Sequence, residues 1–381
     1  MSLRATFSKQ PGEIGALTGF RGIGSLWVLA AHLSLQRASG GQATGPIDHL
    51  VDGAGLGVHA FFVLSGFVIA SNYQEFFLRW DRRQYFRFQV LRLGRIYPLH
   101  LFMLFAVLSF VIVAGIIGRP INHAASGEYD LSARSFVANL FLVQNWGTDV
   151  LSWNGPAWTI SAEWFAYLLF PLAAYTIFRR LVTRRAKMAV VVTVYVAVIV
   201  CMTWISQSRP LLPLLQVTAG FTAGVIVWMW IRDHEATADH RPVAALVALI
   251  GVTAALLVFG AFDIPVDMWP GPLVVLLMYG LTVDTGPAAR VFASAPAIFL
   301  GRISYSLYLS HIWVIFGVRT FIAPRFDPSL QEAIVIVLSP VIAIPVATVL
   351  FLAVEEPWRK RSKAFVRRHG PSAPPGSAAV G

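Results

Sequence analysis

Residues 17–35, LTGFRGIGSLWVLAAHLSL, run for nineteen positions with one arginine, Arg21, and one histidine, His32, in otherwise uncharged sequence. A helix crossing a hydrocarbon core of about 30 Å needs roughly 20 mainly apolar residues, so this stretch predicts a membrane helix. Nine further segments of the same kind follow: 55–73, 97–117, 156–178, 187–206, 211–231, 243–262, 270–285, 296–322 and 330–354. Together they predict an all-α fold, a polytopic transmembrane bundle of about ten helices. The segment 270–285 is the shortest and lies between Pro270 and Pro287. Residues 135–146 are apolar but too short to span, and are expected at the interface or dipping into the protein.

Composition points the same way. Charged residues make up 13% of the chain, against about 25% in soluble domains, which excludes a set of soluble domains. The net charge of +11 is not a nucleic-acid footprint, because the basic residues fall in short clusters between apolar runs. Arg79, Arg82, Arg83, Arg87, Arg92 and Arg95 precede the third segment. Arg179, Arg180, Arg184, Arg185 and Lys187 separate the fourth and fifth. Arg359, Lys360, Arg361, Lys363, Arg367 and Arg368 follow the last. The alternate loops carry Asp48, Asp52, Glu128, Asp130, Asp149, Asp263 and Asp267. The positive-inside rule then places both termini in the cytoplasm, which requires an even helix number, and ten fits.

The chain divides into a cytoplasmic N-terminal segment (1–16), the transmembrane domain (17–358) and a basic tail (359–381). That tail is rich in Pro, Gly, Ser and Ala, reads as disordered, and should lie against anionic lipid headgroups. Residues 1–15 show no cleavable signal. Cys201 is the single cysteine, which excludes an internal disulfide or a cysteine-based metal site, and no metal is expected. No internal repeat is visible.

An ionisable group inside a membrane helix is costly, so each is a functional candidate. Arg21 and His32 are eleven residues apart, which returns them to nearly one helix face, about 16 Å apart along the axis. Arg21 then sits near the cytoplasmic surface and His32 in the outer half. Snorkelling of Arg21 and capping of a neighbour by His32 are the structural alternatives. His59 falls near the outer end of the second helix and Ser65 near its middle; His59 can equally be interfacial. Arg92 and Arg95, three residues apart beside Pro98, form a cationic patch suited to phosphate, although positive-inside topology also places arginines there. Glu163 lies about two turns into the fourth helix, near the depth expected for His32, where it could orient the imidazole or pair with an arginine. Trp158 offers a face for a sugar ring or an interfacial anchor, and Ser161 lies on the same turn. On the ninth helix Arg302 lies near the cytoplasm and His311 in the outer half. Ser304, Tyr305 and Tyr308 between them make a polar stripe too rich for lipid contact. The cationic end suits an anionic nucleotide carrier; the His/Glu end suits a hydroxyl acceptor.

These blocks, in order, resemble the membrane-bound acyltransferase-3 family, which includes O-antigen, exopolysaccharide and Nod-factor O-acetylases. They are Arg21 with His32, Gly57 to Phe67, Arg92-x-x-Arg95-x-x-Pro98, Trp158 to Tyr167, Ser304 to His311, and Glu356-Pro357. The resemblance covers Leu17 to Trp358. Thr159 and Ala166 depart from the common pattern.

The resemblance implies an O-acyltransferase in the cell membrane that takes an acyl group, usually acetyl, from acyl-CoA and delivers it to a hydroxyl of a carbohydrate or lipid-linked glycan. It implies His32 at the catalytic centre, with Arg21, Arg92 and Arg95 near the donor; the reading of the residues adds Glu163 and Arg21 as catalytic candidates and Arg302 near the donor. His59, Ser65, Trp158, Ser161, Tyr305, Tyr308 and His311 would line or support the site. No permanently bound cofactor is expected, acetyl-CoA or another acyl-CoA being the donor substrate, and the stand-alone form without an esterase-like domain is expected. Membrane lipids are expected partners and nucleic acid is not; the number of copies is open. The competing class is a proton-coupled exporter of a glycan or lipid, which would also bury His and Glu but would favour inverted repeats.

Overall fold

The computed structural model describes residues 13–37, 53, 55–77, 81–118, 129–148, 150–181, 183–204, 211–234, 244–261, 271–283 and 285–369. The acidic loop residues Asp48, Asp52, Glu128, Asp149, Asp263 and Asp267 lie outside them, as do the first twelve residues and 370–381. The described residues are almost wholly helical. In order they form α1 (Gly15–Arg37), α2 (Gly55–Phe77), α3 (Arg82–Ile116), β1 (Tyr129–Asp130), α4 (Ala133–Leu140), β2 (Leu151–Ser152) and α5 (Trp158–Arg180). Then come α6 (Arg184–Trp204), α7 (Leu212–His234), α8 (Ala244–Ala261), α9 (Gly271–Val283), α10 (Pro287–Phe292), α11 (Ala295–Gly317), α12 (Gln331–Leu350) and α13 (Glu356–His369). Within the described residues, each of the ten apolar segments coincides with a helix. Among the described residues five helices are long and apolar enough to cross a bilayer: Gly55–Gln74, Arg82–Ile116, Leu212–Asp233, Ala295–Arg325 and Gln331–Arg368.

Two differences from the sequence reading have clear causes. Helix α3 begins at Arg82, well before the apolar window that opens at 97. Asp81 caps it, its carboxylate accepting from the Arg83 amide at 2.8 Å, so the arginine-rich stretch is helical too. Pro98 is therefore interior to the helix and not its start; it only withholds a donor from the Gly94 carbonyl one turn back. The tail is helical through His369, where disorder was expected from 359. Glu356 pairs with Arg359 and Lys360 one turn on, and Val366 is buried, so α13 is held by contacts that composition does not reveal.

The chain forms two compact units. The first holds α1, most of α2, α7 from Gly220, α8 to α11, and α12 through Ala347. Its core gathers Leu17, Val63, Phe67, Val227, Ala245, Met278, Leu281 and Phe292 from six helices. The second holds α3 to α6, the start of α7, the end of α12 and α13. Here α5 lies against α3: Gln89 donates to the Tyr167 carbonyl at 2.8 Å, and the Phe88 ring meets Tyr167 edge-on and Phe170 tilted.

Residues 135–146 form α4 and an irregular turn in this second unit. Tyr97 donates to the Leu140 carbonyl at 3.0 Å, His100 Nε2 sits 3.0 Å from the Asn139 carbonyl, and Ser161 donates to the Leu142 carbonyl at 2.9 Å. Non-helical backbone away from water needs such partners. A parallel two-residue bridge, Tyr129 with Leu151 and Asp130 with Ser152, closes the loop.

Candidate active site

The site in the first unit is built on one helix pair, α1 against α11. Its closeness is set by glycine. A Cβ on Gly22 would stand 2.4 Å from the Gly301 amide nitrogen, and one on Gly301 would stand 2.0 Å from the Thr18 carbonyl oxygen. Backbone atoms cannot retreat from such contacts, so only glycine allows this approach. The helices are parallel: Thr18, Arg21 and Gly22 meet Gly301, and His32 meets His311.

The polar groups on this seam are matched to one another. Arg21 donates to the Gly301 carbonyl from Nη2 at 2.8 Å and from Nε at 3.3 Å. Arg302, buried, forms an ion pair with Glu13, which also accepts from the Thr18 hydroxyl. Ser25, Ser304 and Ser310 turn back onto carbonyls of their own helices at 2.7, 2.9 and 2.8 Å. Arg302, expected near the donor, thus carries its charge to Glu13 and ties the chain before α1 to α11. Glu13 went unnoticed in the sequence because it precedes the first apolar run and its partner is 289 residues away.

Further along the seam, the His32 and His311 rings meet edge-on with centroids 4.8 Å apart. His311 is fully buried and His32 half-buried. His311 Nε2 lies 3.3 Å from His32 Nδ1, which is also 2.8 Å from the Val28 carbonyl. Tyr308 packs beside His311, ring centroids 6.0 Å apart, and meets Phe61 of α2 edge-on. Tyr305 is half-buried one turn earlier. His59 is buried on α2, where α7 approaches at Gly220, whose added Cβ would stand 3.1 Å from the His59 ring. Ser65 is half-buried beside Gly66, which meets the Phe221 carbonyl.

The remaining candidates lie in the second unit. Glu163 accepts from the Tyr167 hydroxyl one turn on along α5. Arg92 lies over the Phe88 ring at 5.6 Å and the Tyr167 ring at 5.9 Å, the stacked placement that suits a guanidinium. Arg95 is half-buried three residues along α3. Ser161 bonds the Leu142 carbonyl and accepts from the Asn145 amide at 3.3 Å, so it shapes the α4 turn. Trp158 is half-buried at the start of α5.

Three residues here are not among the site candidates read from the sequence: Tyr167, Gln89 and Lys363. Tyr167 is buried and joins Glu163, Arg92 and Gln89. Its i,i+4 spacing from Glu163 was the available signal. Lys363 brings another positive charge within electrostatic range of Arg92 and Arg95, because α13 packs on α3 where Gly94 makes room for Ser362.

An acyltransferase-domain family model, acyltransferase-3, matches residues 14–354, and the chain belongs to that family. It is accordingly a membrane protein and an acyltransferase. Among its relatives, an acyltransferase of Streptomyces mycarofaciens, MdmB, is 26% identical over 80% of this chain and 79% of its own. The O-acetyltransferase OatA of Staphylococcus aureus is 22% identical over 93% of this chain. The match spans 59% of OatA's own length. No solved structure matches.

Proposed function

We propose that the protein is a multi-pass O-acyltransferase of the cell membrane that moves an acetyl or other acyl group from cytosolic acyl-CoA to a hydroxyl of a carbohydrate or glycolipid. The observation that carries this reading is the His32–His311 contact at the end of a glycine-packed helix pair in a chain of this family. The relatives named acyltransferase and O-acetyltransferase support it.

In this reaction His32 acts as general base. It takes the proton of the acceptor hydroxyl as the oxygen attacks the thioester carbonyl; the new C–O bond forms, the C–S bond breaks, and the CoA thiolate leaves. Arg92 and Arg95 would hold the phosphates of the donor, with stacking on Phe88 and Tyr167 keeping the Arg92 guanidinium in place. Glu163 and Tyr167 would support Arg92 within the second unit.

Ten spans with both termini in the cytoplasm fit the packing directions. Segments one and nine (α1, α11) run parallel, as both being odd requires. Segments seven and eight (α8, α9) run antiparallel, with Gly280 against Ala245 and Gly251 against Leu273. Segments three and four (α3, α5) are antiparallel through Phe88 with Phe170 and Arg92 with Tyr167.

The test is transfer of label from radiolabelled acetyl-CoA by the purified full-length protein, wild type beside His32→Ala. Loss of a positioned base should lower turnover by about 10²–10⁴-fold with membrane insertion intact. Near-normal turnover in His32→Ala would remove His32 from the reaction. Absence of both turnover and acetyl-CoA binding in wild type would remove the donor assignment.

A further inference from the structure

Resting on that reading, we infer that His311 is a positioning residue that presents His32 to the acceptor in one tautomer, with Nδ1 protonated and Nε2 as the base. The carbonyl oxygens around the pair decide the matter, since they can only accept hydrogen bonds.

His311 Nδ1 lies 2.8 Å from the Tyr308 carbonyl and 3.3 Å from the Leu307 carbonyl. A nitrogen lone pair aimed at two carbonyl oxygens would be repelled, so Nδ1 carries the proton. In the neutral ring, Nε2 then offers a lone pair, and that lone pair faces His32 Nδ1 at 3.3 Å. A doubly protonated His311 would set its own N–H against the N–H of His32.

His32 gives the same answer from its other neighbour. Its Nδ1 lies 2.8 Å from the Val28 carbonyl, one turn back on α1, which again demands a proton there. One N–H is therefore shared between the Val28 oxygen and the His311 nitrogen. Two independent acceptors specify one tautomer, and Nε2 is left with its lone pair. His311 is sealed in the helix pair, so it cannot itself reach a substrate. When Nε2 takes up the hydroxyl proton, the positive ring keeps both acceptors on Nδ1–H. Neither needs to move, because His311 is held by its own two carbonyls. A partner that fixes the tautomer and supports the imidazolium is the general logic of a nucleophile–base–orienter relay, here with a neutral imidazole where a carboxylate often stands.

The experiment is nitrogen-15 NMR of histidine-labelled full-length protein in detergent micelles, with His32 signals assigned by their loss in His32→Gln. Wild type should show a protonated Nδ1 and an unprotonated Nε2 on His32. His311→Phe, which keeps the ring and removes the acceptor, should shift the His32 Nδ1 resonance. His311→Gln should restore it, since its side-chain oxygen can stand where Nε2 was. In turnover, His311→Phe should lower kcat by about ten- to a hundredfold with KM for acetyl-CoA unchanged, and His311→Gln should recover most of the loss. A wild-type His32 protonated on Nε2 overturns the inference, as does a His32 signal indifferent to His311→Phe. The NMR needs no substrate. A protein with the assigned tautomer and no acyl transfer would therefore sink the transferase reading, and with it the positioning role, and leave only the tautomer assignment standing.

Discussion

The α1–α11 seam and the α3–α5–α13 cluster both bring charged groups together inside a hydrophobic protein, but they do so in opposite ways. On the seam the charged and imidazole groups have protein partners of fixed position: a backbone carbonyl for Arg21, a carboxylate for Arg302, a second imidazole for His32. In the cluster the cations gather on one side of α3, and Arg92 rests against ring faces. The seam is built to hold atoms still, and the cluster to present positive charge. In the proposed function, chemistry requiring angstrom placement is assigned to the first and recognition of an anion to the second.

The strongest way to break the contrast is to force the seam apart. Gly301→Leu should abolish or nearly abolish folded protein in detergent, a cost at or above about 3 kcal/mol, because the Thr18 carbonyl cannot yield. Gly115→Leu on α3, where nothing lies within 4 Å of the added carbon, is the control and should change stability by less than about 0.5 kcal/mol. Equal losses in the two would deny the seam its special status.

Glu13→Gln comes next. It leaves the buried Arg302 guanidinium without its carboxylate and should cost roughly 2–3 kcal/mol in thermal unfolding of the purified protein. In the cluster, Arg92→Ala should weaken acetyl-CoA binding by calorimetry about ten- to a hundredfold while leaving the melting temperature nearly unchanged. Arg92→Lys should recover little of that, since an ammonium neither forks nor stacks as a guanidinium does. If Arg92→Ala melts early and binds normally, the cluster is structural like the seam.

Gly94→Ala would set a methyl 1.8 Å from the Ser362 hydroxyl oxygen and push α13 off α3. A cost of about 1 kcal/mol, with positive coupling to Ser362→Gly in a double-mutant cycle, is expected. Smallest of all is Asp130, whose carboxylate accepts from the Ser132 amide at 2.8 Å. Its hydrogen bonds to Ser132 hold its pKa below the usual aspartate value. The sign follows: a depressed folded-state pKa adds stability above the unfolded-state value, and that stability is lost as pH falls through the folded one. Asp130 is largely solvent-exposed, so Asp130→Asn should flatten the acid limb of the thermal stability profile by no more than about 0.5 kcal/mol.

Much of this was legible in the residues. Apolar runs located the helices because hydrocarbon leaves the backbone few alternatives. His32 and Arg21 were singled out because charge in such runs is expensive. The partners were not legible. His311 reaches His32 across 279 residues, and Glu13 reaches Arg302 across 289. Linear spacing says which face a side chain occupies but not which helix lies opposite. The helical tail was missed for a related reason. Its basic composition argues for disorder until Gly94 on α3 is seen to receive Ser362.

The glycine seam also restricts motion. Sliding α1 along α11 by one turn, about 5.4 Å, would bring Leu26 to the place Gly22 holds, where even a methyl meets backbone. The pair therefore has a single register and travels as a solid block. Arg21 therefore keeps the Gly301 carbonyl and His32 keeps His311 through whatever cycle the protein runs, and in the proposed reaction substrates must be brought to a fixed ruler rather than have the ruler adjust to them.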